Sequence, residues 1–184
     1  MKNVILLHGH GGTPASFWLP WLRAALEKRG CSVWVPQLPN TNQPDINEQL
    51  IYVLKNGIFD EETILVGHSS GATLIVGILD RINIKIKQAI LVAGFASPLG
   101  DDQASTRQIM PFLWENIRER VNDIIFINSD NDPWGADDKK GREMFDRLGG
   151  TQIILHGQGH MGSDKFKQPY KEFPLLLKLL DLGD

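Results

Sequence analysis

The sequence predicts a three-layer α/β sandwich: one mainly parallel, six-stranded sheet with helices on both faces. Three observations carry that expectation. Six short apolar runs rich in Val and Ile recur along the chain, most of them without polar alternation, as strands buried on both faces require. Amphipathic stretches with helical spacing separate them. One run passes straight into a helical pattern through a glycine-flanked turn. Strand–helix alternation throughout is the signature of a sheet covered on both sides.

The runs are NVILLHG (3–9), CSVWVPQ (31–37), TILVGH (63–68), QAILVAGF (88–95), DIIFINS (123–129) and TQIILHG (151–157). Each is too short for a core helix, and they are too often ended by Gly, Ser or Pro. Between the first two, SFWLPWLRAALEKRG sets Trp18, Leu22, Ala25 and Leu26 on one face and stops at Gly30. PDINEQLIYVLKNG does the same with Ile46, Leu50, Val53 and Leu54, closing on Gly57. A third helical pattern opens at Ser69, and the last is YKEFPLLLKLLDLG, with Pro174 near its start. In STRQIMPFLWENIRER, Pro111 removes a backbone donor, so a break is expected inside that pattern.

The 184 residues suit a single domain (1–184) with a real core. A formal net charge of −3 gives no electrostatic case for nucleic acid or an anionic membrane surface. One cysteine, Cys31, cannot form an internal disulfide, so a cytoplasmic location is expected. The N-terminal apolar run is interrupted by histidines and glycines and reads as a strand, not a signal peptide. No apolar run approaches the ~20 residues that span a bilayer.

Chemistry concentrates in TILVGHSSGATLIV (63–76). Gly67-His68-Ser69-Ser70-Gly71 matches G-x-S-x-G with Ser69 at its centre. A strand turning sharply into a helix holds the central residue strained, and the flanking positions crowd neighbouring backbone, so glycines fit there. The serine then stands at a helix N-terminus, which favours developing negative charge. Ser70 lies one place past the centre; its backbone N–H, not its hydroxyl, is the expected oxyanion donor.

A serine needs a base and an orienting acid. Of five histidines, His68 is locked inside the elbow, pointing away from the serine, while His8 and His10 precede it against the Ser…Asp…His order of this architecture. His156 belongs to the last strand. His160 follows it in the glycine-flanked loop GQGHMG, at a strand's C-terminal end where ligand-facing groups of open α/β sheets gather. For the acid, NSDNDPWGADD follows the fifth strand, and Asp130 and Asp132 compete, with Asp137 further out. Spacing from the strand favours Asp132; Asp101 and Asp102, after the fourth strand, form a reserve.

The first loop, LLHGHGGTPAS, lacks the Gly-Lys-Ser/Thr of a phosphate cradle. Its His8-x-His10 pair admits a metal-dependent alternative, although no acidic ligand cluster accompanies it. The reading that fits the serine makes the His10 backbone N–H a second oxyanion donor.

LLHGHGGTP, SFWLPWL, VGHSSGA, SDNDPW and GQGHMG together resemble the small, cap-less α/β-hydrolases typified by retinoblastoma-binding protein 9 and YdeN. The resemblance implies an α/β-hydrolase fold with strand order 2-1-3-4-5-6 and Ser69 near the sheet centre. It assigns Ser69 as nucleophile, Asp132 as acid through its Asp-Pro pair, and His160 as base, with no metal or cofactor. Gly135-Ala136 departs from the family's bulky residue and proline after the acid, and the Leu-x-Cys-x-Glu string linked to retinoblastoma binding is absent. The function so implied is hydrolysis of a small-molecule ester through an acyl-enzyme, with amides as secondary substrates. A non-catalytic protein-binding module on the same fold is the other alternative, and no protein partner is named by the sequence. Without residues for a large cap the site is expected to be shallow, walled by Phe95, Trp134 and Met161.

Overall fold

The computed structural model describes residues 2–100 and 103–183. Six strands form one sheet in the order β2-β1-β3-β4-β5-β6, and every neighbouring pair is parallel. The strands are β1 (Asn3–Leu7), β2 (Ser32–Trp34), β3 (Ile64–His68), β4 (Ile86–Val92), β5 (Val121–Ser129) and β6 (Thr151–Leu155). The predicted second run, 31–37, yields only three strand residues, because Pro36 cannot donate to a sheet ladder. That brevity is tolerable at an edge.

The helices are α1 (Leu19–Glu27), α2 (Ile46–Asn56), α3 (Ser70–Arg81), α4 (Gln103–Thr106), α5 (Trp114–Glu119), α6 (Asp138–Leu148) and α7 (Pro174–Leu179). Pro sits in the first turn of α1 and α7, where a missing N–H costs nothing. Asp45 caps α2, its carboxylate accepting from the Asn47 and Glu48 amides at 2.9 and 3.3 Å. The break expected at Pro111 separates α4 from α5. Helix α6 has no counterpart among the predicted patterns. Only Gly141, Met144 and Leu148 of its eleven residues are buried, so its apolar stripe is thin.

Two apolar clusters flank the sheet. One packs α2, α3 and α5 on Ile5, Leu7, Leu65, Ala89, Leu91 and Phe126; the other packs α1 and α7 on Val4, Leu6, Val66, Ile90, Val92 and Ile127. Alternate residues of β1, β3 and β4 face opposite layers, as the two-residue strand period requires. Eleven of the twelve residues of α3 are buried, which fixes that helix against the sheet centre. No helix among the described residues is long and apolar enough to cross a membrane.

Candidate active site

The loops after β1, β3, β5 and β6 meet at the carboxyl ends of the strands around a cavity of about 340 Å³. Ser69 enters it from the β3–α3 turn with φ 56° and ψ −124°, a left-handed conformation that a serine adopts only under constraint. The flanking glycines supply it. A Cβ on Gly67 would stand 2.5 Å from the Gly71 carbonyl oxygen, and one on Gly71 would stand 2.6 Å from that of His8. The Ser69 amide donates to Val92 O at 2.8 Å, tying the turn to β4.

Ser69 is the N-cap of α3, yet its side chain makes no capping hydrogen bond. A serine there ordinarily spends its hydroxyl on the N2 or N3 amide. At this φ and ψ the hydroxyl is left for the cavity.

His160 borders the same cavity. Its Nδ1–H donates to Asp132 Oδ2 at 2.6 Å, and both side chains are buried. The other Asp132 oxygen accepts the Trp134 amide at 2.8 Å, which orients the carboxylate. With Nδ1 occupied, Nε2 is the ring nitrogen left to exchange a proton.

The loops that carry Asp132 and His160 are joined by a run of hydrogen bonds just past the last β5–β6 pair. The Gln158 amide donates to Ser129 Oγ (2.9 Å), the Gly157 amide to Asp130 Oδ1 (2.8 Å), and the Gly159 amide to Asn131 Oδ1 (2.7 Å). The Asp132–His160 bond is the last of them. Asp130, the competing acid, is therefore occupied elsewhere: its Oδ2 accepts His156 Nδ1–H at 2.6 Å, at an exposed position. The Gly157 amide and the His156 ring hold the Asp130 carboxyl below its ordinary value. Asp137 caps α6 through the Lys139 and Lys140 amides. Asp101 and Asp102, the reserve, lie outside the described residues.

The first loop presses on the serine. A Cβ on Gly9 would come within 2.8 Å of Ser69 Cβ, so only glycine allows this approach. The Gly11 and Gly12 amides are bonded to Thr41 O and Gly9 O, while no backbone bond of this loop among the described residues uses the His10 amide. Ser70 begins α3, where the first amides have no intrahelical acceptor.

His8 is a structural residue. Its Nδ1–H donates to Gly9 O (3.0 Å) and its Nε2 accepts the Leu38 amide (3.2 Å), so neither ring nitrogen is free to ligate. Burial pushes its pKa below the ordinary imidazole value. His10 is exposed, its Nε2–H on Asn42 O at 3.2 Å. Among the described residues no three His, Cys, Asp or Glu side chains gather as a ligand set. The donor geometry that a metal at His8 and His10 needs is not met.

Of the expected walls, Phe95 and Trp134 line the cavity. Met161 does not. Its side chain is wholly buried in the α1-side core, while its amide donates to Gln158 O at 3.3 Å and its carbonyl accepts Trp18 Nε1–H at 3.1 Å. The sequence reading also missed His68. Its ring borders the cavity and donates from Nε2 to His160 O at 2.8 Å. Burial, with the His160 ring second, lowers its pKa to about 3, so it is neutral. The string G-H-S gave no signal of this, because the partner lies 92 residues further on.

The serine hydrolase family model matches residues 4–181. Serine hydrolase RBBP9 of Rattus norvegicus is 30% identical over 174 residues, covering 91% of this chain and 90% of that protein. The crystal structure of the ydeN gene product from B. subtilis superposes with a TM-score of 0.87 at 23% identity, covering 97% of this chain and 96% of that one. Est1E from Butyrivibrio proteoclasticus, solved with ferulic acid bound, gives a TM-score of 0.70 at 12% identity over 97% and 90%. The strand order, the elbow and a family match over nearly the whole length agree, and the chain belongs to the serine hydrolase family, on an α/β-hydrolase fold.

Proposed function

We propose that the protein hydrolyses small carboxylic esters through an acyl-enzyme on Ser69. The observation that carries this reading is the buried 2.6 Å Asp132–His160 hydrogen bond on the cavity that also receives the uncapped Ser69 hydroxyl. His160 Nε2 takes the Ser69 proton as Oγ attacks the substrate carbonyl. The oxyanion is held by the His10 and Ser70 amides. The tetrahedral adduct collapses as His160 returns the proton to the leaving alcohol. Water, deprotonated by His160, then attacks the acyl-enzyme, releasing acid and regenerating Ser69. Asp132 fixes the imidazole tautomer and stabilises the imidazolium. The buried thiol of Cys31 takes no part and suits a reducing cytoplasm.

The test is labelling by a fluorophosphonate probe together with p-nitrophenyl acetate turnover. Wild type is expected to be labelled at Ser69 and to release nitrophenol. Ser69→Ala is expected to lose both, with kcat down by roughly 10⁴-fold or more and the melting temperature retained. A wild type that is folded but inert to both reagents would leave the non-catalytic reading in its place.

A further inference from the structure

The loop that carries His160 is sharply turned: Gly159 and Met161, on either side, have φ of 58° and 52°. A loop in that conformation stays put only if its backbone groups are tied down. The His160 amide donates to Gln168 Oε1 at 2.9 Å, and Trp18 Nε1–H holds the Met161 carbonyl. The carbonyl of His160 itself is held by His68. That ring is buried, its centroid 5.0 Å from the His160 ring and 5.8 Å from both Phe17 and Trp18.

We propose that His68 is a positioning residue: its Nε2–H, bonded to the His160 main-chain carbonyl, holds the His160 imidazole in line with Asp132 and Ser69. His68 ends β3, so it is rigidly placed by the sheet, and Ser69 follows it directly. One hydrogen bond therefore links the strand presenting the nucleophile to the loop presenting the base. The donor must be neutral, because a cation 5.0 Å from the His160 ring would oppose the imidazolium formed during the reaction. A buried imidazole meets this requirement, and Lys or Arg would not. The proposal rests on the assignment of His160 as base.

The test compares His68→Gln, His68→Asn and His68→Phe. The Gln amide nitrogen overlays imidazole Nε2 and restores the donor. The Asn amide is polar but too short to reach, and Phe fills the space without a donor. For Asn and Phe, kcat on p-nitrophenyl acetate is expected to fall about 30- to 100-fold with KM within about threefold, as a displaced base gives. His68→Gln is expected to recover to within about threefold of wild type. The downfield proton resonance of the Asp132–His160 hydrogen bond reads the same geometry without substrate. It is expected to persist in wild type and His68→Gln and to shift or vanish in the other two.

If Phe fails to fold, the Gln–Asn contrast carries the comparison. The proposal is overturned if Phe keeps both rate and resonance, since His68 would then only fill space, or if Gln loses them as fully as Asn, since the donor would then not matter. Should wild type prove inert to esters, the proposed activity fails by itself, and the resonance still decides the role of His68.

Discussion

Ser69 and Ser70 differ by one position and by what their neighbours leave them. Ser69 holds an N-cap place without spending its hydroxyl there, whereas Ser70 is buried in the first turn of α3. Ser70→Ala is expected to be mild, within about tenfold in kcat, because its proposed contribution is a backbone amide that alanine keeps. Steady-state kinetics beside Ser69→Ala check this; a dead Ser70 variant would shift the register of the elbow. The aspartates separate by the same logic. Asp132 lies buried against His160 Nδ1, and Asp130 faces solvent against His156. Asp132→Asn is expected to cost on the order of 10³–10⁴ in kcat by favouring the wrong tautomer, and Asp130→Asn about tenfold or less. A loss at Asp130 as large as that at Asp132 would move the acid to the exposed pair.

Helix α3 contains two glycines with opposite surroundings. A Cβ at Gly71 would meet the carbonyl oxygens of both Leu7 and His8, backbone atoms of β1 and the turn after it that cannot give way cheaply. At Gly77 the nearest atoms are Leu50 methyl groups 3.6 and 3.7 Å away, an ordinary contact. Gly71→Ala is therefore expected to destabilise by roughly 2 kcal/mol or more and to displace Ser69. Gly77→Ala is expected to gain about 0.5–1 kcal/mol from helix propensity. Urea denaturation of the two variants checks the contrast. The element next to the site that carries little core is α6, yet it too is anchored: Gln152 Nε2–H donates to Asp138 O at 2.8 Å, Asn128 of β5 donates to Ala136 O just ahead of the helix, and a Cβ on Gly141 would strike the Asn128 side chain. The thin apolar stripe of α6 suffices because these polar contacts seat it on β5 and β6.

Across the molecule, the cavity is small and only partly walled. Leu99, Ala104, Ser105 and Gln108 line one side of it, and among the described residues no cap domain is evident. At about 340 Å³ the cavity is at the low end for ligand sites, and each methylene left outside forgoes ~0.8 kcal/mol of burial. For p-nitrophenyl esters, kcat/KM is expected to peak at acetate or butyrate and to plateau or fall beyond about six carbons. A steady rise through decanoate would point to a deeper acyl groove. Stability depends on pH through the buried imidazoles of His68 and His8. His68 has its folded pKa lowered to about 3, so between there and the unfolded value of ~6.5 the unfolded chain binds more protons. Its contribution is complete above that upper value and is lost as pH falls, at up to ~1.4 kcal/mol per pH unit, with His8 acting in the same direction. Melting temperature against pH is expected to have a shallower acid limb in His68→Gln than in wild type.

The strand order came from the family resemblance, but the sequence by itself determined the strand count, the parallel sense of the sheet and the places just past strand ends where Ser69, Asp132 and His160 stand. Each of those depends on local pattern: apolar runs, glycines around a turn, polar residues just past a strand end. It also located the break at Pro111, since a missing amide is a property of one residue. What only the tertiary structure decided are the facts that need two distant segments at once. Met161, placed by sequence at the cavity wall, is turned into the core because its carbonyl is taken by Trp18. His8 becomes a clamp between loops because the Leu38 amide comes to its ring. Helix α6 escaped the periodicity because few of its side chains need burying, and its seat is polar. His68, which the sequence sets aside as pointing away from the serine, donates its Nε2–H to the His160 carbonyl. Hydrogen-bond partners are chosen by packing across the whole chain, and no window along the sequence contains both ends of such a bond.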